Sequence, residues 1–513
     1  MANREELGII KGARTGDRQS QLALGKLYLF GSAGLPKSAP TALHWLQRAA
    51  RAGCDEACLL IGAHIPYDIA QQGGAEVVAS YARASDAGVV AAGLVLAQLT
   101  LGRDDAGGAL RAQALRGLKA AAQAGLADAQ WLLAQHSGAG AAAPAQLREG
   151  QAWLAKAADN GVSEALYAVL GQAWEDGDAG QFLARALPVA QLLLQEAGEG
   201  ADGARKPGAA PLSPQEVLLL SRCAELLQRG AGGIVVDAAQ RQRFCELAAE
   251  GGDRAAQLSL GLWFARMDAQ GSRVESSAGA VNFKRAIRWL TQAGEQGLAD
   301  AWFALSRIYI KPEFSQRSVS EAQSYLERAA DMGHGAAQLE CGIHAWRTRR
   351  DGANNDVRAA YWLMKAAAQG SAEAEAALGK IAPSAVAAPW SAALGPLTAL
   401  ELAASQPLLA ARLELAGLFG LSRAEALLVD VNAADQGHCL VIDIRASYGR
   451  SKRRLVLVRT AQQRQALERI GRVFERLDCG LAGPEGNYRQ RLYRLKTYLP
   501  ESLAEPDGGL LPA

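Results

Sequence analysis

Cys54 and Cys58 stand four residues apart and His64 follows them, and thiolate and imidazole are the usual zinc ligands. A zinc site wants a second close pair at a matching spacing. None follows, so these three residues are expected to pack a core. His438 and Cys439 are adjacent in a stretch that reads as a strand, His438-Cys439-Leu440-Val441-Ile442-Asp443-Ile444. Neighbouring strand residues point to opposite faces, which forbids a direct Cys–His dyad. Cys439 therefore belongs in a core, and His438 at the surface or an edge. The other histidines, His44, His64, His136, His334 and His344, are scattered, and none has an evident triad partner. Gly31-Ser32-Ala33-Gly34-Leu35-Pro36-Lys37-Ser38 has the outward look of a phosphate loop. It fails because the second glycine must directly precede the lysine and a strand must lead in. The expectation is a protein with no catalytic residue, no cofactor and no metal.

Charge offers a different chemistry. The whole chain is near neutral at +2, but Arg423 to Lys496 holds 15 Lys/Arg against 8 Asp/Glu, about +7, leaving the rest near −5. Arg450, Lys452, Arg453 and Arg454 cluster on a turn, and Arg489, Arg491, Arg494 and Lys496 crowd a terminal helix. All of these but Lys496 are candidate contacts to an acidic protein or a nucleic-acid backbone, with solvated surface as the plainer reading. Leu415, Ala416, Phe419-Gly420-Leu421 and Ala426 match the small and apolar positions of a helix-turn-helix. The second helix, Arg423 to Val429, is leucine-rich and poor in base-reading side chains, so a packed helix pair explains the same residues.

The elements that position these groups come from composition and periodicity. Half of the 513 residues are hydrophobic, alanine is heavily over-used and aromatics are sparse, which favours closely packed helices. Arginine far exceeds lysine, as GC-rich bacterial coding produces. Seven scattered cysteines make no disulfide framework. The first residues lack a signal-like apolar region, and no run approaches a membrane span, so a cytoplasmic protein is expected.

Internal repetition is the main signal. The phrase Ala49-Ala50-Arg51-Ala52-Gly53 recurs as Ala121-Ala122-Gln123-Ala124-Gly125 and as Ala157-Ala158-Asp159-Asn160-Gly161. Later copies end at Gly252, Gly333 and Gly370. Glycines that should end helices in the left-handed conformation fall at Gly53, Gly88, Gly125, Gly161, Gly198, Gly252, Gly297, Gly333 and Gly370, most of them about 36 residues apart. Two longer steps coincide with loop inserts at 199–214 and 268–281. Each unit reads as a helical hairpin. In the first, helix A runs through Gly25 and Tyr28, a loop follows, and helix B runs through Trp45 to Gly53. Pro66 should break a helix in the second unit, and the unit at 215–251 fits the pattern worst.

The chain resembles the Sel1-like repeat family, relatives of tetratricopeptide repeats. Ala42/Trp45/Ala49/Ala50/Gly53, Ala286/Trp289/Ala293/Gly297, Ala322/Tyr325/Ala329/Ala330/Gly333 and Ala359/Trp362/Ala366/Ala367/Gly370 carry the helix B pattern, with Trp153 at the same position in another unit. Ala256/Leu260/Gly261 and Ala374/Leu378/Gly379 carry that of helix A. The resemblance implies an all-α, right-handed solenoid over 15–383, about nine or ten helix pairs behind an N-terminal helix at 1–14. It also implies a scaffold or adaptor that holds a protein partner on its concave face, with nucleic acid a less favoured partner and no membrane.

Beyond 383 the pattern stops. The sequence reads as a linker with capping helices at 384–419, then a small basic α+β domain at 420–500 and a disordered tail at 501–513. Two strands are expected at 438–444 and 454–458. Ser422 and Glu425 form a capping box that argues for a helix, against a third strand at 426–431. Thr460 should cap a helix running to about Leu477. Residues 483–487 read as a turn and 488–499 as a last helix whose stripe Tyr488, Leu492, Leu495 and Leu499 faces a core.

Overall fold

All nine glycines expected to end helices have positive φ, from 62° at Gly198 to 97° at Gly252. No side chain adopts that backbone cheaply, so glycine at these points frees the chain to turn and lets the last helical carbonyls find partners. The structure is a computed structural model that describes residues 4–103, 107–138, 144–198, 210–234, 236–274, 281–383, 396–449, 451–480 and 482–498. It forms two compact units, 1–244 and 245–513. Arg450, the tail at 501–513 and much of both expected inserts lie outside the described residues. So does most of the linker.

The first unit is a succession of helices, most of them packed on the next. Helix Arg18–Phe30 pairs with Ala39–Arg51 and Val90–Thr100 with Gly108–Gln123. Ala127–Gly138 pairs with Pro144–Asp159. The helix Arg4–Thr15 ends at Gly16, φ 99°, and packs on Arg18–Phe30 as a helix B packs on the A helix after it. Pro66 does break a helix: Asp55–His64 stops before it and a short turn, Tyr67–Ala70, follows. The Ile65 carbonyl freed there accepts a hydrogen bond from the buried Tyr81 hydroxyl at 2.6 Å. Pro188 lies inside the continuous helix Ala179–Ala197. The poorly fitting unit does contain helix Pro214–Gln228, started by a capping box between Ser213 and Glu216.

In the second unit, hairpins Arg254–Ala265/Phe283–Glu295, Ala299–Tyr309/Val319–Asp331 and Gly335–Arg347/Asn355–Ala368 follow one another, and helix Ala372–Ile381 packs on the last. A two-stranded antiparallel sheet follows, β1 (Cys439–Ile442) and β2 (Arg454–Leu457), in the register Cys439 opposite Leu457. Its two faces serve two cores. Cys439, Leu455 and Leu457 pack on Val357, Ala360, Leu363, Leu378 and Ile381 of the last hairpin and the helix after it. Leu440, Ile442 and Val456 join a second core with Phe419, Leu467, Ile470, Phe474 and Leu495. Period-2 alternation makes this possible, because successive strand side chains leave on opposite faces.

Helix Pro407–Phe419 was expected to seal the repeats. It contributes Leu409, Leu413, Leu415 and Phe419 to the second core and packs on helix Ala461–Phe474, so it shares the core of the α+β part. The face of the last hairpin is covered by the sheet. Ser422 and Glu425 form the capping box of helix Arg423–Leu428, whose Ala426, Leu427 and Leu428 are buried. The third-strand alternative therefore fails, and this short helix packs a core with its leucines. Among the described residues no helix is long and apolar enough to cross a membrane.

Candidate functional site

Four glutamines sit on helix A, each five residues after a helix-ending glycine: Gln21, Gln130, Gln257 and Gln338. They are only 2–4% exposed. A buried amide must be hydrogen-bonded or it destabilises the fold. Each donates through Nε2 to the carbonyl of the residue eight positions earlier, at the end of the preceding B helix. The acceptors are Ala13 at 3.3 Å, Ala122 at 3.0 Å, Ala249 at 3.1 Å and Ala330 at 3.0 Å. In three cases the glutamine Oε1 accepts from an amide at the end of the next B helix. Asn160 donates to Gln130 at 2.8 Å, Gln296 to Gln257 at 2.9 Å and Gln369 to Gln338 at 3.0 Å. Each such rung ties three successive helices together and fixes the register of one repeat on the next.

Ion pairs add surface links between neighbouring repeats: Lys26 with Glu56, Lys119 with Glu149, and Arg358 with Glu327. All six partners are well exposed, so each contributes little, up to about 1 kcal/mol.

The aromatic positions line grooves between successive B helices. One groove of ≈ 450 Å³ is bounded by Glu250, Gln257, Arg288, Trp289, Gln292 and Glu295. A second of ≈ 320 Å³ is bounded by Glu327, Asp331, Arg358, Tyr361, Trp362 and His438. Cations lie over these rings: Arg288 over Trp289, Lys365 over Tyr361 and Trp362, Arg48 over Trp45 and Lys156 over Trp153. Tyr325 instead stacks on Trp302, centroids 5.6 Å apart and planes 8° apart.

Five stretches match the family model for the Sel1 repeat: 18–54, 127–162, 275–298, 300–334 and 347–371. The chain carries Sel1 repeats. Gly25, Trp45, Gly53, Trp153, Gly161, Trp289, Gly297, Tyr325, Gly333, Trp362 and Gly370 all fall inside the matched stretches. Gly125 and Gly261 lie outside them. Two examples illustrate the solved structures similar to the chain. One is a protective antigen present in uropathogenic Escherichia coli strains and displaying an SLR fold, 20% identical over all of both chains, TM-score 0.46. The other is a Sel1 repeat protein from Oxalobacter formigenes, 20% identical over 66% of this chain and 89% of that one, TM-score 0.35. No curated protein matches the chain.

Four of the candidate basic residues beyond the Sel1 repeats, Arg453, Arg454, Arg491 and Arg494, are held in contacts within the protein. Arg453 makes two bonds to Asp356 of the last repeat, at 2.8 and 2.9 Å, and one to the Ala353 carbonyl at 3.0 Å. Arg454 grips Glu425 with two bonds of 2.7 Å. Arg491 is 2% exposed and donates to the carbonyls of Leu427, Cys479, Gly480 and Gly486. Burial lowers its pKa. Arg494 donates to the Glu485 carbonyl. Lys452 and Arg489 are exposed, and Arg489 rims an open groove with Gln490, Tyr493 and Arg494. Of the seven candidate contacts, four are thus committed to separate structural contacts, Lys452 and Arg489 are exposed, and Arg450 lies outside the described residues.

Of the candidate metal residues, Cys54 and Cys58 are buried and His64 is exposed, its ring meeting Phe30 edge-on at 5.1 Å. Among the described residues no group of three or more His, Cys, Asp or Glu is placed to hold a metal. Cys439 is fully buried, which pushes its thiol up to about 12, so it is protonated and inert at neutral pH. His438 places Nε2 3.0 Å from the Val357 carbonyl, an edge contact between sheet and repeat.

His334 caps a Sel1 helix in an unusual way. Its Nδ1 accepts from the Ala337 N–H at 3.1 Å, its ring stacks on Phe303 at 4.3 Å, and its Nε2 lies 3.6 Å from Asp300. Burial, and secondarily Arg307, lower its pKa, while Asp300 and Glu340 oppose the shift. A protonated Nδ1 cannot accept, so the cap requires the neutral ring. A folded pKa below the unfolded one means stability that is complete above about pH 6.5 and is lost as pH falls through the lowered value. Thermal melts from neutral to mildly acidic pH should show that loss. His334→Ser keeps a cap, as Ser371 does, and should flatten the slope in that window. An unchanged slope would remove His334 from the account.

Proposed function

We propose that the protein is an interaction scaffold that holds a protein partner on the concave face of its Sel1 repeats and performs no chemistry on it. Sel1-repeat proteins generally act as protein-interaction scaffolds. The observation that carries the reading is the system of amide rungs. A binding surface made of separate hairpins works only if those hairpins hold a fixed register, and the buried glutamines supply it. Preorganised surfaces bind with less ordering cost, and a stacked array offers more area than one hairpin. The α+β part acts in this reading as an end cap, its sheet covering the apolar face of the last repeat. A nucleic-acid role finds less support, because Arg453, Arg454 and Arg491 are committed to Asp356, Glu425 and buried carbonyls.

The test is a titration of short DNA and RNA onto the whole protein at two salt concentrations. No salt-sensitive binding is expected. Micromolar binding that weakens steeply with salt, and is lost in Lys452→Glu/Arg489→Glu, would overturn the scaffold as the full answer.

A further inference from the structure

An open groove of ≈ 740 Å³ runs between the loop at 482–486 and helix Tyr488–Tyr498. Its lining includes Arg489, Gln490, Tyr493 and Arg494 and holds no carboxylate. Glu485, the one acid of the loop, turns its carboxylate into the core, where it is 5% exposed and accepts from Arg412. The groove is therefore basic along its whole lining.

Its walls are held in place. Gly486 takes φ 73°, a conformation that favours glycine, and its carbonyl accepts from Arg491 at 2.8 Å. Asn487 and Gln490 accept from each other's backbone N–H at 3.1 and 2.9 Å. Arg494 donates to the Glu485 carbonyl, which ties the helix to the loop and fixes one guanidinium at the groove. A surface fixed in this way loses little freedom when it binds.

The outer face of the helix has no use within the protein. Tyr493 is 75% exposed, more than any other large apolar side chain described. Arg489, Tyr493 and Lys496 fall at i, i+4 and i+7, on one exposed side of the helix. Among the described residues neither of these two cations has a carboxylate partner.

We propose that this groove takes an acidic segment of the partner protein. Two of its carboxylates meet the guanidinium groups of Arg489 and Arg494, whose forked donors match a carboxylate. An apolar side chain between them lies on Tyr493 and Pro484. A nucleic-acid strand fits the groove less well. Its backbone needs a longer line of cations, and Arg453, Arg454 and Arg491 are engaged inside the protein. The proposal rests on the scaffold reading and gives the α+β part a second contact with the same partner.

The experiment follows a labelled peptide of glutamates around one leucine by fluorescence anisotropy, at low ionic strength, where exposed charges are least screened. It uses the whole protein, Arg489→Gln, Tyr493→Ala and Arg254→Gln. Arg254 is exposed at the start of helix Arg254–Ala265 and gives a control of equal charge change. All the substituted side chains are exposed, so the four proteins should melt together. The peptide should bind Arg489→Gln about tenfold more weakly than the parent, the loss of one charge-assisted hydrogen bond. It should bind Tyr493→Ala several-fold more weakly and Arg254→Gln unchanged. No binding, or equal binding to Arg489→Gln and Arg254→Gln, overturns the proposal and leaves the scaffold reading standing. Binding that appears only when the chain is ended at Pro500 assigns the groove to the chain's own Glu501, Glu505 and Asp507, and also overturns it. A single-stranded DNA of equal charge that binds more tightly than the peptide, with the same loss in Arg489→Gln, counts against both readings.

Discussion

Glu485→Ala is expected to unfold the α+β part, at a cost of about 3–5 kcal/mol. Glu485 is 5% exposed and binds Arg412, itself 1% exposed, through two bonds of 2.7 and 2.5 Å. Arg412 also donates to the carbonyls of Ala426 and Val429 and lies over the Phe474 ring. Arg491 sits 3.6 Å from the same carboxylate. One carboxylate thus balances two buried guanidinium groups, and its removal strands both in a low-dielectric core. The double variant Arg412→Met/Glu485→Leu removes one buried pair together and should recover part of the loss, the part left being that of Arg491 without its carboxylate, because matched apolar replacements of buried pairs are often neutral. Urea unfolding of the three proteins checks this. A Glu485→Ala protein that unfolds at the same urea concentration as the parent would contradict the assignment.

The second large effect concerns the glycine of helix A. A Cβ built on Gly261 would lie 2.5 Å from Leu290 Cγ, and the same contact recurs between Gly25 and Leu46 and between Gly342 and Leu363. Leu290 and Leu363 are fully buried, so they have little room to move. Gly261→Ala and Gly342→Ala should each destabilise by about 1–3 kcal/mol through overpacking. Gly379 fills the same sequence position but meets nothing within 4 Å. Gly379→Ala should therefore be neutral or stabilising by up to about 1 kcal/mol, since alanine is the better helix former. Opposite signs at Gly261 and Gly379 are the expected outcome in urea or thermal unfolding. In a double-mutant cycle, Leu290→Ala should make room for the added methyl, so the pair costs less than the sum of its parts.

Much of this architecture was legible because glycine leaves a local signature. A residue that must take positive φ shows itself wherever it stands, so the helix ends at Gly53 through Gly370 could be read directly. Pro66 and the capping boxes at Ser422 and Thr460 were legible for the same reason. Gly25 stands out as a small residue within helix A, but the side chain that packs against it, Leu46, shows only in the structure. The amide rungs were missed. A lone glutamine on a helix looks like solvated surface, and only its fixed offset from the glycine before it, paired with an amide just ahead of the next one, exposes the pattern.

The basic cluster misled for a different reason. Two of its members pair with carboxylates distant in the chain: Asp356 is 97 residues from Arg453 and Glu425 is 29 from Arg454. A count of charge along a segment measures its net sign and cannot see such pairs. It therefore could not separate Arg453, Arg454 and Arg491, which lock the α+β part to itself and to the last repeat, from the exposed Lys452 and Arg489. The end cap escaped notice similarly, because helices at 396–419 look able to seal a solenoid until a strand face with Cys439, Leu455 and Leu457 is seen on it.

The most direct measurement is affinity purification of the whole protein from its native host after cross-linking, with a nuclease step, followed by mapping of the cross-linked residues by mass spectrometry. The account predicts a protein that stays bound after nuclease treatment, with its cross-links on residues 18–371, where the Sel1 repeats lie. Cross-links confined to the 420–498 region, or a partner that disappears with the nucleic acid, would contradict it.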